Sequence, residues 1–227
     1  MKFTLFSLVL SSTLLSQSAD FRFDSCDNCN DHIKKVVNSS SFWLSDLPSI
    51  HPMSQNRAVF QSGLSSPIEK YNGDFWIYPN LNFGIKVTRN LFVTGKLFGF
   101  STDEESPQVL GAGLQYAFGD KDTLNWVTSI QRTDLKGLNH FRLTSITVDI
   151  RKWVDWHFIA FRLGIGSNFY KETSYYSVPD FPSKLEGQIN YVGIDALMRY
   201  SILNVGIGSR FHPKFTTITF YLQKEFF

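Results

Sequence analysis

Apolar and polar residues alternate along most of the chain from about Gln55 onward. Leu81, Phe83, Ile85 and Val87 interleave with Asn80, Asn82, Gly84 and Lys86. Leu110, Ala112, Leu114, Tyr116 and Phe118 interleave with Val109, Gly111, Gly113, Gln115 and Ala117. The same rhythm returns in Thr144–Arg151, Val192–Tyr200 and Asn204–Arg210. A period of two places successive side chains on opposite faces, so these runs predict strands with two unlike faces. About ten such runs are present, near 56–64, 74–87, 91–101, 108–118, 123–133, 140–152, 156–169, 187–200, 203–211 and 215–226. Most run well past the roughly 5–6 residues of an ordinary soluble strand. Their length is what a tilted strand needs to cross a bilayer, about 9–11 residues. Eight strands stay open as an alternative, because the first run, Asn56–Leu64, has the weakest alternation.

The connections fall into two classes that alternate along the chain. Thr88–Asn90, Gly119–Asp122, Val154–Asp155 and Ser201–Ile202 are short. Ser65–Gly73, Thr102–Pro107, Asp134–Asn139 and Lys171–Glu186 are longer and more polar, and His212–Lys214 is short where a long loop is due. Tight turns at one rim and loops at the other are what an up-and-down barrel produces. Pro79 falls on the outward phase of the second strand, where a missing N–H donor predicts a bulge or bend.

Two segments precede this pattern. Residues 1–19, MKFTLFSLVLSSTLLSQSA, carry Lys2, an apolar stretch and small residues before the expected cleavage after Ala19, and read as a secretory signal peptide. Residues 20–54 are polar, with a short helix expected over Asp31–Asn38 and an apolar knot at Phe42, Trp43 and Leu44. They read as a periplasmic N-terminal extension that plugs the barrel mouth, since the knot needs burial. The two cysteines, Cys26 and Cys29, are expected to form a local disulfide in an exported chain. Asn30 in place of His after Cys29 excludes haem attachment, and His32 supplies only a third zinc ligand with no fourth nearby, so no metal and no cofactor are expected.

Composition adds three exclusions. Hydrophobic residues make up 43% of the chain and net charge is only +2, so disorder is excluded. The same charge balance argues against a nucleic-acid partner. Beyond residue 20 no run reaches the roughly 18 apolar residues of a spanning helix.

The signal segment, the even strand count, the long alternating strands, the loop asymmetry and the C-terminal FTTITFYLQKEFF together resemble the outer-membrane β-barrels of Gram-negative bacteria. The resemblance covers residues 55–227. It implies an all-β, up-and-down antiparallel transmembrane barrel in the outer membrane, surrounded by its lipid, with both termini and the short turns periplasmic. It also implies that Phe226 and Phe227 present a signal to the barrel-assembly machinery, and that Phe118, Trp126, Tyr200 and Phe226 belong to the periplasmic aromatic girdle. Strict parity points Trp153 and Trp156 inward at the same rim.

The inward phase collects Lys86, Lys96, Asp149, Arg151, Arg162, Asp195, Arg199 and Arg210. Facing hydrocarbon, such charges would cost roughly 2–4 kcal/mol each at mid-depth, so a lumen is the place for them. Ten strands enclose a narrow space, and an ion-pair network packing it is the leading reading. A narrow, weakly anion-favouring pore is the second, with Gly164, Gly166, Gly193, Gly206 and Gly208 leaving room for Arg side chains or a small ligand. A secreted lipocalin-like barrel would need an apolar interior, which this face does not supply. An enzyme acting on lipid or peptide at the outer rim is the remaining alternative. His140, His157 and His212, with Ser209, Asp180 and Glu186, could furnish its groups, but no GxSxG or other catalytic spacing is present. The loop 171–186, with Tyr175, Tyr176 and Phe181, is a candidate surface for an external partner.

Overall fold

The structure is a computed structural model that describes residues 21–23, 29–69, 76–99, 101, 105–120, 123–175, 183–200 and 202–227. Among the described residues one helix, α1 (Cys29–Leu44), precedes ten strands: β1 (Ala58–Pro67), β2 (Tyr78–Lys86), β3 (Leu91–Gly99), β4 (Gln108–Asp120) and β5 (Thr123–Lys136), then β6 (Phe141–Trp156), β7 (Ile159–Ser174), β8 (Lys184–Tyr200), β9 (Leu203–His212) and β10 (Phe215–Phe226). Each strand pairs antiparallel with its sequence neighbours, and β1 pairs with β10 from Ala58↔Phe226 to Pro67↔Thr217, which closes the barrel. Closure leaves no unpaired edge. The ten-strand reading holds, and the eight-strand alternative falls because Ala58–Pro67 is the strand that seals the seam.

Several boundaries differ from the sequence pattern for identifiable reasons. β6 and β7 continue to a turn at His157–Phe158, not Val154–Asp155, and His157 takes a positive φ of 55° there. Asp155 reads as a turn residue, but it pairs in the ladder opposite Ala160. Trp153 points into the lumen and Trp156 is exposed outside it. β7 and β8 also extend far into the expected long loop, with Lys171 opposite Glu186. Pro79 causes no register shift against β1, pairing with Leu64. The β2–β3 ladder begins only at Asn82↔Lys96, so the missing N–H faces no β3 partner.

The largest departure is the N-terminal segment. The expectation is a plug at one mouth; residues 29–54 instead run through the lumen. Inward residues of β2 mark its descent: Tyr78 stacks on Trp43 at 4.7 Å, Asn80 accepts from Trp43 Nε1, Asn82 donates to Asp46, Gly84 abuts Ile50, and Lys86 donates to the carbonyls of Pro52 and Ser54. A side chain at Gly84 would occupy the space of Ile50. Above Trp43, Phe23 stacks on Phe141 at 4.9 Å and its N–H donates to His140 Nδ1, at the rim of the long loops. Below Ile50, His51 packs edge-on against Trp153 at the rim of the short turns. Phe21–Phe23 and Phe227 therefore lie at opposite rims. Residues 1–20 and Cys26, with the signal-peptide and disulfide expectations they carry, lie outside the described residues.

The helix is sixteen residues long, twice the expected length. Ser39, Ser40 and Ser41 are weak helix formers, which is why the pattern stopped at Asn38. Enclosure reverses that preference. All three serines are buried, and small side chains let the helix fit between the walls. Ile33, Val36, Val37, Trp43 and Leu44 form one core with Tyr78, Val109, Leu135, Phe141 and Leu143 of the barrel.

The outside is the inverse of the inside. Leu97, Leu110, Leu114, Ile130, Ile146, Ile165, Val192, Ile194, Ile207 and Phe220 are exposed on the outer wall, while Lys96, Asp149, Arg151, Arg162, Asp195 and Arg210 point inward. A lipocalin-like apolar interior is thus not what these strands enclose. No helix among the described residues is long and apolar enough to cross a bilayer. Trp43→Ala should lower unfolding free energy by about 3–5 kcal/mol, because the indole is buried and the closed wall cannot collapse into the gap. Urea unfolding in detergent micelles measures this.

Candidate functional site

The lumen holds most of the buried chemistry. Parity brings Asp149 and Arg151 of β6, Arg162 of β7, Asp195 of β8 and Arg210 of β9 to the inner wall. Arg151 Nε donates to Asp149 Oδ2 at 2.6 Å and its Nη1 to Asp195 Oδ2 at 2.5 Å. Arg162 Nε reaches the same Asp195 oxygen at 2.9 Å. Asp149 and Arg151 side chains are 1% and 3% exposed, so their charges can be tolerated only as a set. Gly193 leaves the space that the Arg151 guanidinium occupies, and Tyr191, Tyr221 and Asp195 fill the space over Gly166, Gly206 and Gly208.

Donors of Arg162, Arg210 and Lys96 go to the threading segment. Arg162 Nη1 donates to Pro48 O at 3.0 Å and Nη2 to Leu47 O at 3.4 Å. Arg210 Nη1 donates to Phe42 O at 2.6 Å and Ser45 Oγ at 2.5 Å. Lys96, fully buried, directs Nζ to Leu44 O at 3.5 Å. Phe42 and Leu44 end α1, whose last turn contains no basic residue of its own. Arg210 and Lys96 on the wall thus supply the positive charge that a helix C-terminus favours.

Neutral side chains complete the set. Gln115 donates to Pro48 O, Gln131 to Asp46 O, and Asn168 to both Ser41 O and Ser41 Oγ. Gln61 accepts from Ser49 N, and Tyr170 donates to Asn38 at 2.6 Å. Seven of the ten strands thereby grip the segment through Gln61, Asn82, Lys96, Gln115, Gln131, Asn168 and Arg210.

Two of the expected network residues lie elsewhere. Arg199 sits at the short-turn rim and pairs with Asp155, both about half exposed, 47% and 54%. It is therefore a rim residue and not part of the central network. Lys86 is at the mouth, where it holds Pro52 and Ser54. His51 adds Nε2 to Asp155 at 3.2 Å and accepts from Met53 N at its other ring nitrogen. Burial pushes its imidazole below the ordinary range, against the pull of Asp155.

The pattern missed Asp46, which faces Arg210 at 3.9 Å and accepts from Asn82. It also missed the backbone carbonyls as partners of the wall. The usable signal was the surplus of inward polar residues, Asn82, Gln115, Gln131 and Asn168, more than an ion-pair network needs.

The hydrolase candidates do not assemble. Ser209 faces outward and donates to Thr217 O, whereas His212 Nδ1 accepts from Lys214 N. Glu186 is held by Lys171, His140 by Phe23 N, and His157 lies at the opposite rim. Asp180 lies outside the described residues. No metal-binding group of His, Cys, Asp and Glu is present among the described residues. At the C-terminus, Phe226 faces outward beside the seam and Phe227 is exposed, with Arg57 N donating to both carbonyls.

No family model matches the chain, and no curated protein matches it. Among solved structures it is similar to the translocator domain of the autotransporter NalP from Neisseria meningitidis, at 10% identity and a TM-score of 0.41, covering 86% of this chain and 94% of that one. It is also similar to Ail, the attachment invasion locus protein of Yersinia pestis, at 10% identity and a TM-score of 0.30, covering 76% and 98%. A third is the Ralstonia pickettii toluene transporter TbuX, at 9% identity and a TM-score of 0.30, covering 81% and 93%. At these values the chain's own geometry carries the reading of its function.

Removing the shared carboxylate should cost far more than removing a rim charge. Asp195→Ala leaves Arg151 and Arg162 buried without it and should lower stability by about 3–5 kcal/mol. Arg199→Ala should cost about 1 kcal/mol or less, because its pair is solvated. Equilibrium unfolding of the two variants side by side checks the contrast.

Proposed function

We propose that the protein is an outer-membrane β-barrel closed by its own N-terminal segment, which serves as a non-conducting binding or structural barrel and not as a pore. One observation carries this reading. The segment 29–53 occupies the lumen from one rim to the other, and arginine, lysine and glutamine side chains of the wall are committed to its carbonyls. An anion pathway would need those cations free. The inner charges are also balanced, with Asp46, Asp149, Glu172 and Asp195 alongside Lys96, Arg151, Arg162 and Arg210.

The bilayer part of the proposal rests on the outer wall. Apolar side chains surround the barrel at mid-height, far beyond the few hundred Å² of apolar patch a soluble protein exposes. Outward charges stand at the ends: Lys152 lies over Trp126 at 5.5 Å and Lys224 over Phe226 at 4.9 Å near the short turns. Phe118 and Trp126 stack beside them, the arrangement of an interfacial girdle. In this setting Phe226 and Phe227 would present the signal for the assembly machinery, with the short turns periplasmic. The long-loop rim, with Phe21–Phe23 folded under it, would be the outward face where a partner meets the protein.

Refolded full-length protein should insert into liposomes, resist alkaline extraction and show heat-dependent gel mobility. In planar bilayers it should give no steady conductance steps. The Arg162→Ala, Arg210→Ala double variant removes four bonds to Phe42, Ser45, Leu47 and Pro48 and should show brief openings. Stable steps from the unaltered protein would overturn the closed-barrel reading, and failure to insert would overturn the membrane reading.

A further inference from the structure

The outer wall is not uniform around the barrel. β6, β7 and β8 are the longest strands, and the β8–β9 ladder reaches only Val192↔Phe211, so Lys184–Tyr191 stand above β9. On this side an exterior groove of about 980 Å³ crosses β5 to β9. Val148, Ile150, Ile165, Phe169, Val192 and Phe211 line it, wide and open enough for hydrocarbon chains. Its outward polar side chains are Thr128, Ser167, Gln188 and Asn190, and the inward Asp149 and Tyr191 border it from the lumen side. Asn190 Oδ1 accepts from both Ser167 and Gln188 at 2.7 Å, which leaves its Nδ2 donor without a protein partner among the described residues.

Directly toward the long-loop rim lies a second, smaller cleft of about 240 Å³. Arg132, Lys136, Arg142 and Lys171 line it, with Asp134 as its one acidic residue. The two are neighbours in the ladder: Ile146↔Phe169 borders the apolar groove and Thr144↔Lys171, two residues on, borders the basic cleft. That step is about 7 Å along the strand. Asp134 is engaged by Arg132 and Thr144, and Lys171 by Glu186. Lys136 and Arg142 are exposed and have no ion-pair partner among the described residues.

We infer that this face of β5–β9 is a binding site for an acylated lipid bearing phosphate on its headgroup. The acyl chains would lie in the groove between Val148, Ile165 and Val192. The phosphate would sit in the cleft against Arg142 and Lys136, and Asn190 would donate to a carbonyl of the acyl linkage. The order of the two surfaces, apolar toward the barrel middle and basic toward its rim, matches the order of chain and headgroup in a leaflet. Charge complementarity selects a phosphorylated lipid over a zwitterionic one. The inference rests on the proposed bilayer location of the apolar wall, which liposome insertion tests separately.

Native mass spectrometry of the refolded full chain in detergent reads the binding. The probes are a multi-acylated, doubly phosphorylated glucosamine disaccharide lipid, phosphatidylcholine and inorganic phosphate. Lys136→Gln with Arg142→Gln removes the unpaired cations, and Ser167→Trp fills the groove; all three positions are exposed or on the outer wall, so heat-modified mobility should be unchanged. The phosphorylated lipid should bind the unaltered protein about tenfold or more tightly than either variant. It should outcompete phosphatidylcholine and withstand inorganic phosphate. Equal binding of phosphatidylcholine, equal binding by both variants, or displacement by inorganic phosphate alone would each overturn the site.

Discussion

Between the end of α1 and the start of β1 the chain passes through a closed barrel with little regular backbone pairing of its own. Buried carbonyls must find donors, and inside such a wall only inward side chains can supply them. The wall of this protein does so residue by residue: Arg210 for Phe42, Lys96 for Leu44, Gln131 for Asp46, Arg162 for Leu47, and Arg162 with Gln115 for Pro48. A charge-assisted hydrogen bond contributes roughly 1.5–3 kcal/mol net, and leaving either partner unmet costs at least as much. Segment and wall therefore stabilise each other, and neither has a satisfied alternative without the other.

That dependence explains the lumen's composition better than ion pairing alone. Lys96 and Arg210 make no hydrogen bond to a carboxylate, so their donors would go unmet if the interior held only side chains. The backbone of 42–48 is the missing acceptor. It also explains why α1 extends through three serines, because a bulkier helix would not fit, and why its C-terminus carries no basic residue of its own. The function proposed for the molecule follows from the same constraint: a lumen whose cations are already engaged leaves function to the rims and the outer wall.

The barrel itself was legible because β-strands that separate two unlike environments announce themselves by parity. Parity also placed Asp149, Arg151, Arg162, Asp195 and Arg210 on one face, and the structure brings Asp149, Arg151, Arg162 and Asp195 into one connected set. It could not say how far along a strand a residue lies, so Arg199 was grouped with residues that it never meets. Residues 29–54 were opaque for a different reason. Their conformation is set by enclosure and not by local propensity, so Asn38-Ser39-Ser40-Ser41 read as a helix end. The segment threading the lumen connects β1 at the short-turn rim to Phe21–Phe23 at the long-loop rim.

Hydrogen–deuterium exchange across residues 42–53 of the refolded full chain tests the central claim most directly. These amides are largely outside the helix and the strands, so only enclosure by the wall protects them. The account predicts that they exchange as slowly as the ladder amides of β6 and β7, and that Arg162→Ala with Arg210→Ala releases them while the strands stay protected. Exchange at the rate of an open chain in the unaltered protein, with the barrel still folded, would contradict it.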